Sequence, residues 1–249
     1  MRPYPFGAIL VLALLLSLAP PAVADDGGRQ LIEESVRRYA LPAHVFEEQT
    51  WVLTDRAGKL SLRTTRHYAR QDDAGSGRVW IVDAPIDARG ASIQVARTTG
   101  SGNRLGTAAN SPVFGSVFLV ADIEGEQERD FRYERDGDQD LDRVPHHLVR
   151  AIPLNDAVVR HTGYFERRFY LRKDNLYVSR IEYRDREGRP WRQQTFRDPR
   201  PDSYGIWRPD MVLMEDLREG SRALLKVERR VHSADYVPAA VFAGLKGKP

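Results

Sequence analysis

From Gln49 to Val231 the chain is a series of short runs of alternating polarity, separated by tight turns, and this limits its architecture more than any other feature. Leu60–Ala69 sets Leu60, Leu62, Thr64, Arg66 and Tyr68 against Ser61, Arg63, Thr65 and His67, the period-two pattern of a strand with unlike faces. The same reading predicts strands over Gln49–Thr54, Arg78–Asp83, Ala91–Arg97, Gly125–Arg135, His147–Leu154, Glu166–Arg172, Leu176–Arg184, Arg189–Arg197, Ile206–Leu217 and Arg222–Val231. Asp55–Gly58, Lys173–Asn175, Asp185–Gly188 and Glu219-Gly220 carry turn chemistry between them. Strands joined by so few residues pair antiparallel.

Helical spacing is confined to the ends. Leu31, Ile32, Val36 and Tyr39 recur along one face of Gly28–Ala40, which Pro42 terminates. A second helical piece is expected around His44–Gln49, and a short closing helix over Tyr236–Leu245. Asp136–Arg143 reads as an acidic loop. The elements predict a mainly β fold with flanking α, either a sheet curled over a helix or an open barrel.

The first 24 residues read as an export signal rather than as part of this fold. Arg2 supplies a positive start, Phe6–Leu18 is an apolar run short for a bilayer, and Ala22-Val23-Ala24 is a small-x-small cleavage site. Cleavage after Ala24 leaves one domain over residues 25–249, with 37 basic and 35 acidic side chains. The chain has no cysteine, so an exported domain of this length must stand on its own core. Charges are interspersed, which argues against a nucleic-acid partner.

Near the middle, Arg104–Ile123 is the least charged segment after the signal. Small residues give way to Phe114, Phe118, Leu119, Val120 and Ile123, with Pro112 and Gly115 between them. It reads as a flap or inner element against an apolar surface, or else as a buried connection.

Catalytic equipment is sparse. Asp136, Asp138, Asp140 and Asp142 alternate as in a calcium loop, but Leu141 stands where the sharp turn needs glycine and His147 where the bidentate Glu belongs. His146 and His147 point to opposite faces of a strand and cannot share a metal. No Gly-x-Ser-x-Gly elbow or phosphate-binding glycine loop is present. No catalytic residue, metal site or cofactor is expected. What remains is a set of strand-borne apolar side chains, including Trp51, Phe169, Tyr177 and Ile181, part of which a concave sheet would leave around a ligand cavity.

Three motifs occur in an order that resembles the outer-membrane lipoprotein-sorting protein family. The first is Asn103-Arg104-Leu105-Gly106 followed by Asn110–Phe118 and Ala121-Asp122-Ile123; the second is Arg172–Gly188; the third is Gly205–Met211 with its Gly-x-Trp-x-Pro-x-x-Met-like pattern. The resemblance spans roughly residues 51–245. Val117 replaces the aspartate of the family's Phe-x-Gly-Ser-Asp-Phe pattern, and Ser92–Arg97 lacks its Trp-x-Tyr-x-Pro sequence.

The resemblance implies an incomplete antiparallel β-barrel closed by an N-terminal helix and short helical segments over an apolar cavity. It implies a periplasmic carrier or chaperone, not an enzyme, that binds lipid or lipoprotein acyl chains, with an inner-membrane exporter as a companion. The expected cavity residues are Leu62, Trp80, Val82, Ile93, Val95, Phe114, Val117, Phe118, Trp207, Met211, Leu213, Leu225 and Val227. A monomer is expected. On this reading Phe118→Asp weakens lipid binding more than folding. The alternatives are an interaction module with a filled interior that partners an exporter or envelope protein, and, more remotely, a hydrolase.

Overall fold

The computed structural model describes residues 27–73, 75–99 and 103–245; the expected export signal lies outside them. Helix α1 (Gly27–Arg38) precedes β1 (His44–Thr54), β2 (Leu60–Asp72), β3 (Gly75–Ala84), β4 (Ser92–Thr98) and β5 (Arg104–Gly106). After a long connection come β6 (Phe131–Leu141), β7 (Val144–Pro153), β8 (Glu166–Arg172), β9 (Val178–Arg184), β10 (Pro190–Pro201), β11 (Trp207–Asp216) and β12 (Arg222–Val231). Short helices α2 (Val120–Glu124) and α3 (Asp156–Thr162) sit in connections.

The twelve strands form one curved, unclosed sheet in the order β5-β4-β3-β2-β1-β12-β11-β10-β9-β8-β7-β6, with every pair antiparallel. Each half is a meander. The halves join where the first strand meets the last, with Trp51 opposite Leu225. The two edges, β5 and β6, are consecutive in sequence, so residues 107–130 must pass from one edge of the sheet to the other. Its first part, residues 107–123, belongs to the segment whose sequence is short of charge.

Inner-face residues from both halves form one core with that segment. Trp51, Trp80, Ile93, Val149, Leu171, Val212 and Met214 pack with Val113, Phe118 and Val120 of the connection and Ile32 of α1. Gly28 lets the helix lie directly on β6, because a Cβ there would come within 2.6 Å of the Glu134 carbonyl carbon. Ser35 Oγ donates to Leu176 O at 2.9 Å and Tyr39 Oη to Asn175 O at 2.9 Å, which ties the end of α1 to the β8–β9 turn. A second, smaller core lies on the outer face of β1–β3, where Phe46, Tyr68 and Val79 pack under Val237 and Phe242 of the C-terminal 3₁₀ turns.

Three local expectations are corrected. His44–Gln49 is strand, not helix, because it pairs with β2 on one side and, from Phe46 onward, with β12 on the other. Residues 125–130 are connection with one 3₁₀ turn, and β6 begins only at Phe131. The acidic segment 136–141 belongs to that strand rather than to a loop. Its charges are taken up by neighbouring strands: Asp136 by Arg168 at 2.6 Å, and Asp138 by Lys173 at 2.7 Å and His147 at 3.0 Å. Asp142 and Arg143, at φ 53° and 66°, make the two-residue turn into β7.

Candidate functional site: a cavity at one end of the half-barrel

The connection fills only one end of the concave face. There Phe114 and Gly115, at φ 51° and 77°, turn the chain back on itself, and Val113 N donates to Phe118 O at 2.8 Å. Phe118 is fully enclosed and meets Trp51 edge to face at 5.5 Å between ring centres. Asp122 then enters the interior. Its carboxylate receives Arg192 Nη1 at 3.1 Å, Tyr164 Oη at 2.6 Å and its own helix's Leu119 N at 2.6 Å. Arg192 Nη1 also donates to Val117 O at 2.8 Å, and the guanidinium lies 4.4 Å over the Tyr183 ring. Burial works against this arginine's charge, but Asp122 beside it holds its pKa above the ordinary value.

At the other end the inner face is not filled. A cavity of about 530 Å³ lies between the last turn of α1, the β2–β4 strand ends, residues 124–127 and the start of β11. That volume is within the usual range of small-ligand sites, roughly 300–1,000 Å³. Val36, Tyr39 and Leu41 form one wall, and Val178, Phe196, Trp207 and Pro209 the other. Val95 also lines it, as do Arg78, Arg97, Glu124, Glu126 and Arg208.

These charges are held by the strands. Arg97 and Arg104 both bind the buried Glu124, at 2.9 Å and 2.7 Å. Arg167 binds Glu126 with two hydrogen bonds of 2.7 Å, and Tyr133 adds a third. Arg208 donates to the carbonyls of Tyr39 and Ala40 and pairs with Asp202 at 3.3 Å, which fixes the chain leaving α1. Arg78 differs from these. Nη1 donates to Ile123 O at 2.8 Å, but among the described residues no carboxylate lies within ion-pair distance of it. Burial pushes its pKa down to about 10.

Beside Arg78's strand lies a further buried polar set. Glu47 accepts from Arg230 Nε at 2.6 Å and Gln49 Nε2 at 2.7 Å, and faces His67 Nδ1 at 3.0 Å. His67 stacks on Trp80 at 4.4 Å. Its burial, with Arg78 and Arg230 nearby, lowers its pKa despite Glu47, so the ring is neutral at pH 7 and donates from Nδ1.

The thirteen residues expected at a cavity are distributed unevenly. Val95 and Trp207 line it. Trp80, Ile93, Phe118 and Leu225 are inner core, and Val82 is buried on the same side of β3 as Trp80. Phe114 and Val117 are half-buried against the core at the filled end, and Val227 is half-buried opposite Gln49. Met211 and Leu213 alternate with the inward Val212 and Met214 and so belong to the outer face. Leu62 is 61% exposed. The placement of Phe118 also reverses the expected effect of Phe118→Asp: a carboxylate in a fully enclosed site is expected to cost folding first.

The arginines were missed, although the sequence holds a signal for them. Arg78 shares its strand face with Trp80 and Val82, Arg97 with Ile93 and Val95, and Arg208 with Val212 and Met214. An arginine on an otherwise apolar strand face is either paired internally or facing a cavity.

Among the described residues no group of three or more His, Cys, Asp or Glu is placed to hold a metal ion, and no helix is long and apolar enough to cross a membrane. The architecture is that of the lipoprotein-sorting half-barrels. An outer-membrane lipoprotein-sorting protein domain from Vibrio parahaemolyticus superposes with a TM-score of 0.74 at 17% identity, covering 88% of this chain and 97% of that one. A DUF1329 family protein from Desulfovibrio piger gives 0.69 at 16% identity, over 86% and 98% of the two chains. A LolA superfamily protein from Nitrosomonas europaea gives 0.66 at 13% identity, over 87% and 97%. Residues 100–243 match the model of a family described as "Uncharacterized protein", and the chain belongs to that family. A search of curated proteins finds no match.

Proposed function

We propose that this protein is a carrier that shelters the acyl chain of a lipid or lipoprotein, without catalysing a reaction on it. The observation that carries the reading is the cavity of about 530 Å³ left between α1 and an unclosed sheet whose other end is tightly filled. The sorting and LolA superfamily names of proteins with this fold support it. Residues 1–24 then act as the export signal, and residues 25–249 work as one domain in the periplasm, as a monomer.

The driving force is burial of methylenes at about 0.8 kcal/mol each. A chain of about a dozen contributes on the order of 10 kcal/mol before ordering costs, so release requires a receiving partner or an opened mouth. Native mass spectrometry of protein purified from its own periplasm is expected to show a lipid adduct, and a fluorescent fatty acid is expected to bind and be displaced. Absence of both overturns the proposal. Recovery of a membrane exporter by protein lacking both would favour an interaction module.

A further inference from the structure

Among the described residues, Arg78 is the one guanidinium lining the cavity with no carboxylate at contact distance. Of the five charged residues that line the cavity, three are arginines and two are glutamates. Both glutamates are already occupied: Glu124 by Arg97 and Arg104, and Glu126 by Arg167 and Tyr133. Glu47, whose field also reaches Arg78, is taken up by Arg230. Arg208 has Asp202. Arg78 therefore spends one hydrogen bond on Ile123 O, and a guanidinium has five donors to offer.

Space beside it is kept open by the backbone. Gly125, at φ 94°, presents no side chain, and a Cβ there would stand 3.3 Å from Arg78 Nη2. A half-buried cation with no carboxylate at contact distance, in a site also lined by Val36, Val95, Val178, Phe196 and Trp207, gains from an anion that joins it there. The walls select an apolar tail, and the guanidinium selects a carboxylate or phosphate, which it can grip with two parallel hydrogen bonds.

We propose that the cavity takes an anionic amphiphile, with its carboxylate or phosphate head on Arg78 and its hydrocarbon chain along the apolar walls. This rests on the carrier reading and adds the head-group class to it.

The test is displacement of the neutral dye Nile red from the full chain by dodecanoate, dodecyl phosphate, dodecanol and inorganic phosphate. The two anionic amphiphiles are expected to displace dye at concentrations at least tenfold below dodecanol, while inorganic phosphate neither displaces the dye nor blocks dodecanoate. In Arg78→Gln the preference is expected to fall to less than threefold, with dodecanol unaffected; Arg78→Lys, which keeps the charge but not the two parallel hydrogen bonds, is expected to restore part of it. A melting curve accompanies each variant, and the comparison on the unaltered protein stands even where Arg78→Gln does not fold. Equal displacement by dodecanol and dodecanoate overturns the head-group assignment and leaves the carrier reading in place. Survival of the preference in a folded Arg78→Gln overturns the role of Arg78. Inorganic phosphate that competes with dodecanoate at equal affinity marks a free-anion site and overturns the amphiphile. Failure of every amphiphile to displace the dye overturns the carrier reading together with this inference.

Discussion

The two ends of the concave face are built from the same strands and solve opposite problems. At the filled end, Phe118, Val113 and Val120 are fully buried, and the charged pair Asp122–Arg192 has its oxygens and Nη groups engaged by Tyr164, Leu119 and Val117. At the cavity end, Tyr177 meets Tyr39 and Trp207 at 5.4 Å and 6.3 Å between ring centres with space left beside them, and among the described residues Arg78 has no carboxylate at ion-pair distance. One end pins a long connection; the other keeps room. Buried pairing occurs at both ends, at Asp122–Arg192 in the first and at Glu124–Arg97 and Glu126–Arg167 in the second, but the second leaves space beside it.

The sharpest way to break this contrast is at the filled end. Asp122→Ala leaves Arg192 buried and uncompensated, and is expected to cost about 3–5 kcal/mol in urea unfolding. Phe118→Ala removes a buried ring and is expected to cost a similar amount, about 3–5 kcal/mol. If either variant lost dye binding while keeping its unfolding midpoint, the filled end would be part of the site after all.

A smaller effect comes from acid. Burial holds the pKa of His67, His146 and His232 below the ordinary histidine value. In each case the unfolded chain takes up a proton more readily than the folded one. Their contribution is therefore fully present above the unfolded pKa of about 6.5 and is lost as pH falls from there toward the lower folded value. Each fully unbalanced histidine changes stability by at most about 1.4 kcal/mol per pH unit. Urea midpoints are expected to drop between pH 7 and pH 5, and less steeply in His67→Gln. A midpoint independent of pH in this range would show that folding leaves the proton affinity of these rings unchanged, and a midpoint that rises on acidification would show that they are protonated in the fold.

Smaller still is Tyr177→Phe. The Tyr177 hydroxyl is buried beside the cavity with no hydrogen-bond partner among the described residues. Its removal is expected to stabilise the protein by about 1 kcal/mol, the lower end of the cost of an unpaired buried polar group. A loss of stability would reveal a bound water or an unseen partner.

The largest change in binding is expected from a variant with a modest cost in stability. Val178 lines the cavity and packs partly against the core, so Val178→Trp is expected to abolish dye binding at a cost of about 1 kcal/mol, the lower end for added bulk. A comparable substitution at Val113 should instead unfold the chain, because no space exists there.

Strand punctuation was legible because turn chemistry is local. Lys173–Asn175 and Glu219-Gly220 lie where the chain reverses, between β8 and β9 and between β11 and β12. Helix α3 was also marked, though it was not read. Asn155 caps it by accepting from Ala157 N and Val158 N, and Gly163 ends it in the left-handed region. The run His44–Gln49 carried no such mark, and its state is decided by partners more than a hundred residues away as well as by its neighbour β2. Leu62, Met211 and Leu213 show a second limit. Alternation sorts residues into two faces, but which face turns inward, and how deep a position lies, depends on strands elsewhere in the sheet.

By itself, then, the sequence determined an antiparallel meander with one amphipathic helix and one long, lightly charged connection, because hydrophobic period and turn residues act over a few positions. Tertiary structure decided that β1 pairs with β12, that the connection bridges the two sheet edges, and that it fills one end and not the other. It also decided which arginines are spent. Arg97, Arg167 and Arg208 find carboxylates brought by distant strands and loops, and among the described residues Arg78 does not. The physical reason is that a charge is neutralised by whatever lies within a few ångströms in space, and in a twelve-stranded sheet those neighbours are set by pairing and curvature rather than by nearness along the chain.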